Sequence, residues 1–445
     1  MLKRKIEEKL DQWIHGSKKA LIVTGARQVG KTFSIRERLQ THKCSYLEIN
    51  LIEKPEMIAV LNNVMSVDDM IVSITAIMDY KFVPGESIVF IDEVQELKDI
   101  ITRVKFWVDD GRFRYVLSGS LLGIEMRDLR SVPVGYAQLL TMYPLDFEEF
   151  LLAAGMMDDT VSYLKECLAE RREVEEAVNE RVLKAFSRYL IVGGMPDAVR
   201  EYVETGDINN VSAIQSNIIA LYKQDFSKYE SKDKKLFLEA VYDTIPSNLL
   251  KQNKRFNYAD IKKGFHFEKA ENSFFWLTYA GVTIPVYNTT EPRLALAQNQ
   301  KSSLVKLYSS DVGLLTCQYG SPIKLQIISQ NDKVNLGGLY ENAVAQQLYA
   351  HGFSLFFYNS HKQGELDFVT EYHGSVLPIE VKSGKDYYVH SALDKALNNP
   401  EYEIEIAYIF ANCNVEVKER KVYLPVYMSA FVEENLALPV LDPRI

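Results

Sequence analysis

The stretch GARQVGKT, Gly25 to Thr32, fits the pattern G-x-x-x-x-G-K-[ST] at every fixed position. An apolar run, ALIVTG, precedes it, and KTFSIRERLQ follows with helical spacing. Strand, turn and helix thus come in the order the pattern needs. Glycines let the backbone turn so that its N–H groups converge on phosphate oxygens at a helix N-terminus. Gly25, Ala26, Arg27, Gln28, Val29, Gly30, Lys31 and Thr32 are therefore the candidate nucleotide-binding residues. In this arrangement Lys31 would neutralise the outer phosphates and the Thr32 hydroxyl would ligate Mg²⁺.

A second apolar strand, SIVFIDEVQ, delivers Asp92 and Glu93 at its C-terminal end. Asp92 suits an outer ligand of the magnesium ion. Glu93, on the other strand face by alternation, is the candidate base that polarises an attacking water. A third strand, RYVLSGSLL, ends in Ser118 and Ser120. A hydroxyl there could sense the terminal phosphate, with Ser118 the better placed, although serine at a strand end also serves turns. ATP hydrolysis is the leading activity.

At 445 residues the chain is too long for one ordinary core, so two or three domains are expected. The hydrophobic content of 47% and charged content of 25% are those of a soluble globular protein. A net charge of -9 argues against bulk attraction to nucleic acid and leaves a local basic face open. Cys44, Cys167, Cys317 and Cys413 show no paired spacing, which fits a reducing compartment. The opening MLKRKIEEKLDQW has no apolar core of signal-peptide type, and no apolar run reaches the roughly 18 residues that span a bilayer. A cytoplasmic protein without membrane partners is expected.

Residues 1–150 alternate strand-like ALIVTG, SYLEIN, SIVFID, RYVLSGS and AQLLTMY with helix-like segments, among them an amphipathic region around Val60–Asp79. That alternation predicts a mostly parallel α/β sheet covered on both faces. Residues 151–320 read as helical, with a helix stop at Gly193-Gly194, and FWLTYAGVTIPVY resembles the end of a winged helix. A further α/β module starts near Gly337 and completes a third domain, 321–445.

The ordered series GARQVGKT, FIDEVQ, LSGS, YPLDFEEFL, YLIVGGMP and KLYSSDVGLL resembles one widespread prokaryotic family. Its members join an AAA-type ATPase domain to a C-terminal domain of unknown function with a restriction-endonuclease-like fold. The resemblance covers nearly the whole chain and implies ATP and Mg²⁺ binding by Gly25 to Thr32, Asp92 and Glu93. The family often carries an arginine just before YPLDFEEFL, where this chain has Tyr136. Such an arginine stabilises charge on the γ-phosphate, and Arg127 and Arg130 are the nearby substitutes.

In the C-terminal module, GELDFVTEYHGSVLPIEVKSG holds Asp367 and then Glu380-Val381-Lys382. Alternation puts Glu380 and Lys382 on one face, and the hairpin turn at His373-Gly374 brings Asp367 beside them. Glu341, on the helix LYENAVAQQL, completes a candidate metal cluster. This is the D…E-x-K pattern of restriction-like nucleases, in which carboxylates hold Mg²⁺ and a lysine steadies charge. An exposed strand face with ordinary ion pairs gives the same pattern. Gln363 and Ser383 flank the cluster. Lys251–Ala270 carries six Lys/Arg against two carboxylates, interleaved with aromatics, and is a candidate DNA-contacting face. Two functions stay open: an ATPase that repositions a nuclease-like domain on DNA, or a slow nucleotide-gated switch that recruits a protein partner.

Overall fold

The computed structural model describes residues 2–63, 66–97, 100–120, 135–226, 232–257, 267–329 and 336–434. The chain forms two compact units, Met1–Pro144 with Phe275–Val282, and Leu145–Phe274 with Thr283–Ile445.

In the first unit, β1 (Ala20–Thr24), β2 (Tyr46–Asn50), β3 (Ile88–Asp92), β4 (Arg114–Ser118) and β5 (Ala137–Thr141) form a sheet of order β2-β3-β4-β1-β5. Every neighbouring pair is parallel. Strands β1 and β3 are buried at every position, which requires cover on both faces. That cover comes from α1 (Ile6–Gly16), α2 (Lys31–Thr41), α3 (Glu56–Asn63), α4 (Val67–Met78) and α5 (Ile100–Asp110). Ile22, Ile49, Ile91 and Leu117 of the sheet share one core with Met70, Ile74, Val104 and Trp107 of the helices. The amphipathic region is two helices, because Ser66 caps α4 by accepting the Asp69 N–H at 3.1 Å.

The second unit holds α6 (Phe147–Ala153), α7 (Asp158–Glu170), α8 (Glu176–Val192), α9 (Pro196–Thr205), α10 (Ile208–Phe226) and α11 (Lys232–Leu249). The chain then passes through α12 (Phe267–Tyr279) into the first unit and returns at β6 (Thr283–Thr289). β7 (Gln300–Ser309), α13 (Val312–Tyr319), α14 (Ser321–Ile328) and α15 (Gly337–Ala350) follow. The remaining elements are β8 (Phe356–Ser360), β9 (Gly364–Tyr372), β10 (Ser375–Val381), α16 (Ser391–Leu397), β11 (Ala407–Ala411), β12 (Glu416–Lys418) and β13 (Lys421–Pro425).

Eight strands make one mixed sheet, β12-β13-β11-β10-β9-β8-β6-β7. The sequence expectation divides this region into 151–320 and 321–445, and the sheet draws strands from both spans. Strand β6, which with the helix before it resembled the end of a winged helix, pairs Tyr287 with Phe356 of β8, and β7 pairs with β6, so both lie in the C-terminal sheet. Local patterning finds the strand but cannot say which strand it pairs with. Residues 258–266 of the basic stretch lie outside the described residues. No described helix is long and apolar enough to cross a membrane.

Three motifs of the sequence meet around one buried carboxylate. Asp311 is fully buried and accepts the Gly194 N–H at 2.6 Å and the Leu314 N–H at 2.9 Å. Close backbone approach explains the glycines: a Cβ on Gly313 would lie 2.4 Å from the Val192 carbonyl oxygen, and one on Gly194 would lie 2.0 Å from that of Leu145. Helix α15, buried along most of its length, extends the knot with side-chain amides. Gln346 accepts the Val312 N–H and Gln347 the Phe147 N–H, each at 2.8 Å, and both donate to the Tyr189 hydroxyl.

Burial pushes Asp311 from 3.8 up to about 6, against the pull of its amide donors. The native state therefore holds this proton more tightly than the unfolded chain. The contribution is fully present below 3.8 and is lost as pH rises towards 6. Asp311→Asn presents an N–H₂ group to donors, so it should cost roughly 1–3 kcal/mol at neutral pH. It should also remove the component of stability that falls across this window, both read from urea unfolding as a function of pH.

Candidate functional site

The phosphate loop leaves β1 at Thr24 and turns through Gly25 (φ 135°), Gln28 (φ 66°) and Gly30 (φ 96°) before α2 starts at Lys31. A Cβ on Gly25 would sit 2.0 Å from the Met142 carbonyl oxygen, so only glycine fits. Arg4, buried, pins the loop by donating to the Val29 carbonyl at 2.9 Å and the Tyr143 carbonyl at 2.7 Å. Gly281 also abuts it, since a Cβ there would lie 2.7 Å from the Ala26 nitrogen. Arg4 and Gly281 carry no motif, and sequence reading passed over both.

Lys31 folds back over its own loop and donates from Nζ to the carbonyls of Gly25 at 3.0 Å and Ala26 at 2.8 Å. Burial depresses its pKa to about 8, opposed by the charges of Glu93 and Asp92. Asp92, almost wholly buried at the end of β3, accepts Thr32 Oγ1 on Oδ2 at 2.7 Å. Ser118, at the end of β4, donates to Asp92 Oδ1. Both donors are neutral hydroxyls that bring no counter-charge, and Thr32 with Asp92 fit a magnesium ion. Ser118 is fully buried, and its hydroxyl is engaged by that carboxylate. Ser120 lies buried two residues on.

Glu93 departs from the strand-face expectation. It lies past the last residue of β3 at φ 57°, where strand alternation no longer sets direction. Gln95 Nε2 donates to Glu93 Oε2 at 2.5 Å and orients it. The ring of Tyr136, where an arginine was expected, receives the Lys105 ammonium 5.3 Å from its centroid. Arg127 and Arg130 lie outside the described residues.

The second cluster sits on the mixed sheet. Asp367 Oδ2 accepts the Val381 N–H at 3.0 Å, which places β9 and the end of β10 side by side. Lys382 Nζ lies 3.1 Å from Glu380 Oε2. Glu341 is 2.6 Å from Lys254 Nζ and accepts the Tyr308 hydroxyl at 3.0 Å. Burial, then the charge of Asp367, pushes Glu380 up to about 8, with Lys382 opposing. Glu341 is raised by burial and by Asp367, with Lys254 and Lys306 opposing. Asp367, Glu380, Glu341 and Lys382 thus share one electrostatic neighbourhood.

Among the described residues no group of three or more His, Cys, Asp or Glu side chains is disposed to hold a metal ion. Lysines and a backbone amide engage the carboxylates instead. Sequence reading missed Glu365, which lies 2.7 Å from Lys306 and 3.2 Å from Arg255. Its position two residues before Asp367 on the same strand was the available signal. Gln363 accepts the hydroxyls of Tyr358 at 2.7 Å and Tyr402 at 2.9 Å. Ser383 is half-buried beside Lys382.

Residues 17–151 match the model of an AAA domain. Residues 183–324 and 336–429 match two domains of unknown function, DUF8612 and DUF4143. No curated protein matches the chain. Among solved structures it is similar to the Walker-type ATPase paby2304 of Pyrococcus abyssi, at 16% identity over 72% of this chain and 96% of that one, with a TM-score of 0.42. Cdc6p from Pyrobaculum aerophilum is 13% identical over 74% of this chain and 96% of that one, with a TM-score of 0.27. The RuvB Holliday junction branch migration motor of Thermotoga maritima is 14% identical over 63% and 88%, also with a TM-score of 0.27. TM-scores this low carry no inference about the present chain.

Proposed function

We propose that the first unit binds ATP with Mg²⁺ and hydrolyses it, and that its nucleotide cycle controls a nuclease-like second unit that acts on or binds DNA. The observation that carries the ATPase reading is the chain of hydroxyls on Asp92. Thr32, at the N-terminus of α2, and Ser118, at the end of β4, both donate to this one carboxylate. In this reading Lys31 exchanges the carbonyls of Gly25 and Ala26 for phosphate oxygens. Thr32 and Asp92 hold the magnesium ion, which screens phosphate charge during hydrolysis. Glu93, steadied by Gln95, accepts the proton of the attacking water.

The order α15, β8–β9–β10, α16, β11 supports a nuclease-like second unit, with Asp367 on β9 and Glu380 on β10. The ion pairs of Glu341 and Glu380 favour a second reading: a slow nucleotide-gated switch that recruits a protein partner, its nuclease-like fold kept for binding. The two part on DNA. Cleavage by the parent protein that Asp367→Asn removes, with ATP turnover intact, supports the first; no cleavage by the parent supports the second.

Lys31→Ala should abolish measurable ATP binding in a calorimetric titration, because the charge on the outer phosphates is lost. Glu93→Gln should bind ATP as the parent does and hydrolyse it roughly 10² more slowly. If both bind and turn over like the parent, the site is elsewhere.

The pH dependence follows from Lys31, held at about 8. Polyanion binding favours its charged form, so affinity is flat below that value. Above it the empty site must take up a proton, and affinity should fall by up to about tenfold per pH unit. A Lys31→Arg variant, charged throughout, should bind ATP without this fall.

A further inference from the structure

We infer that Lys254 is a built-in counter-cation that holds the place of a divalent metal in the carboxylate cluster of the second unit, leaving a latent metal site closed by the chain itself. The inference rests on the nuclease-like reading for the geometry of that cluster and takes its DNA-binding form, since a closed metal site leaves the parent protein without metal-dependent cleavage.

Four observations converge. Lys254 Nζ approaches the buried Glu341 carboxylate to 2.6 Å, and its own side chain is only 16% exposed. The charges of Asp367 and Glu365, as well as that of Glu341, favour the charged form of this ammonium, so it sits in the field of three of the cluster's acids. The backbone at Lys254 is left-handed, φ 46°, a conformation that residues with a Cβ rarely adopt. The turn is fixed on both sides, since the Lys254 N–H donates to Lys251 at 3.3 Å and the Phe256 N–H to Val305 of β7 at 2.8 Å.

Charge bookkeeping points the same way. Glu341, Glu365, Asp367 and Glu380 lie among Lys254, Arg255, Lys306 and Lys382, so the acids of the cluster do not outnumber its cations. Lys306 is fully buried and its Nζ lies 2.7 Å from Glu365, so this cation is built into the cluster alongside Lys254. A carboxylate group balanced by fixed ammonium and guanidinium charge has no excess with which to strip the hydration shell of a divalent ion. The contrast with Asp92 is chemical, since hydroxyl donors leave a carboxylate's charge available and ammonium donors cancel it.

The test is Mn²⁺ binding by the full chain without nucleotide, measured by calorimetry and by water-proton relaxation. The parent protein should show no Mn²⁺ site that Asp367→Asn removes. Lys254→Met, of similar length and uncharged, should gain a site at least tenfold tighter than any in the parent, and Glu341→Gln in that background should erase it. A folded Lys254→Met that gains nothing overturns the inference. So does a parent Mn²⁺ site lost in Asp367→Asn, a result that stands even if Lys254→Met does not fold. Failure of the nuclease-like reading shows separately, as absence of DNA binding and cleavage in every variant whatever the Mn²⁺ isotherms give.

Discussion

The second unit is organised around a charge that has no access to water. Asp311 would be costly in this position without donors, and the chain supplies backbone amides from Gly194 and Leu314. Those donors come from two sequence motifs more than a hundred residues apart, so satisfying the carboxylate forces α8 and α13 together. The same demand explains why α15 carries Asn342, Gln346 and Gln347 in a buried helix. Asn342 exchanges hydrogen bonds with both the N–H and the carbonyl of Ser309, and the two glutamines reach Val312, Phe147 and Tyr189. Polar side chains here do the pairing that a sheet ladder or helix does elsewhere.

Glu341 belongs to the same helix and is placed by the same packing. Its neighbours on α15 lock the helix against Ser309 and Tyr189, and this holds the carboxylate towards β7, β9 and the turn that bears Lys254. The two candidate sites therefore illustrate two ways of keeping a buried acid. Asp92 is held by the hydroxyls of Thr32 and Ser118 beside the phosphate loop. Glu341 and Glu380 are held by lysines of their own chain. A half-satisfied group of this kind would be strongly destabilising, and both arrangements avoid it.

The candidate nucleotide site was legible in the sequence because its determinants are local. Eight consecutive residues form the loop, and strand ends deliver Asp92 and Ser118 by simple alternation of apolar runs with polar tips. Legibility stopped where direction depends on backbone beyond the strand: Glu93 sits in left-handed backbone and takes its orientation from Gln95. It stopped also at Arg4 and Gly281, which touch the loop from distant points of the chain. In the second unit the pairing of Asp367 with the strand of Glu380 followed from a hairpin and was readable. Lys254 was not, because its partner Glu341 lies 87 residues away in a buried helix.

The sequence by itself determined the elements: the phosphate loop, the strands and helices around it, the acid-bearing strands of the C-terminal module and the chemistry each side chain could offer. These are properties of short segments, set by periodicity, glycine placement and residue type. Only the tertiary structure decided that β6 and β7 join the C-terminal sheet and that Asp311 unites three motifs. It also decided that lysines, rather than an open cavity, meet Glu341 and Glu380. Those outcomes depend on which distant groups desolvate one another, and the free energy of a buried charge is set by all its neighbours together, so no local pattern contains it.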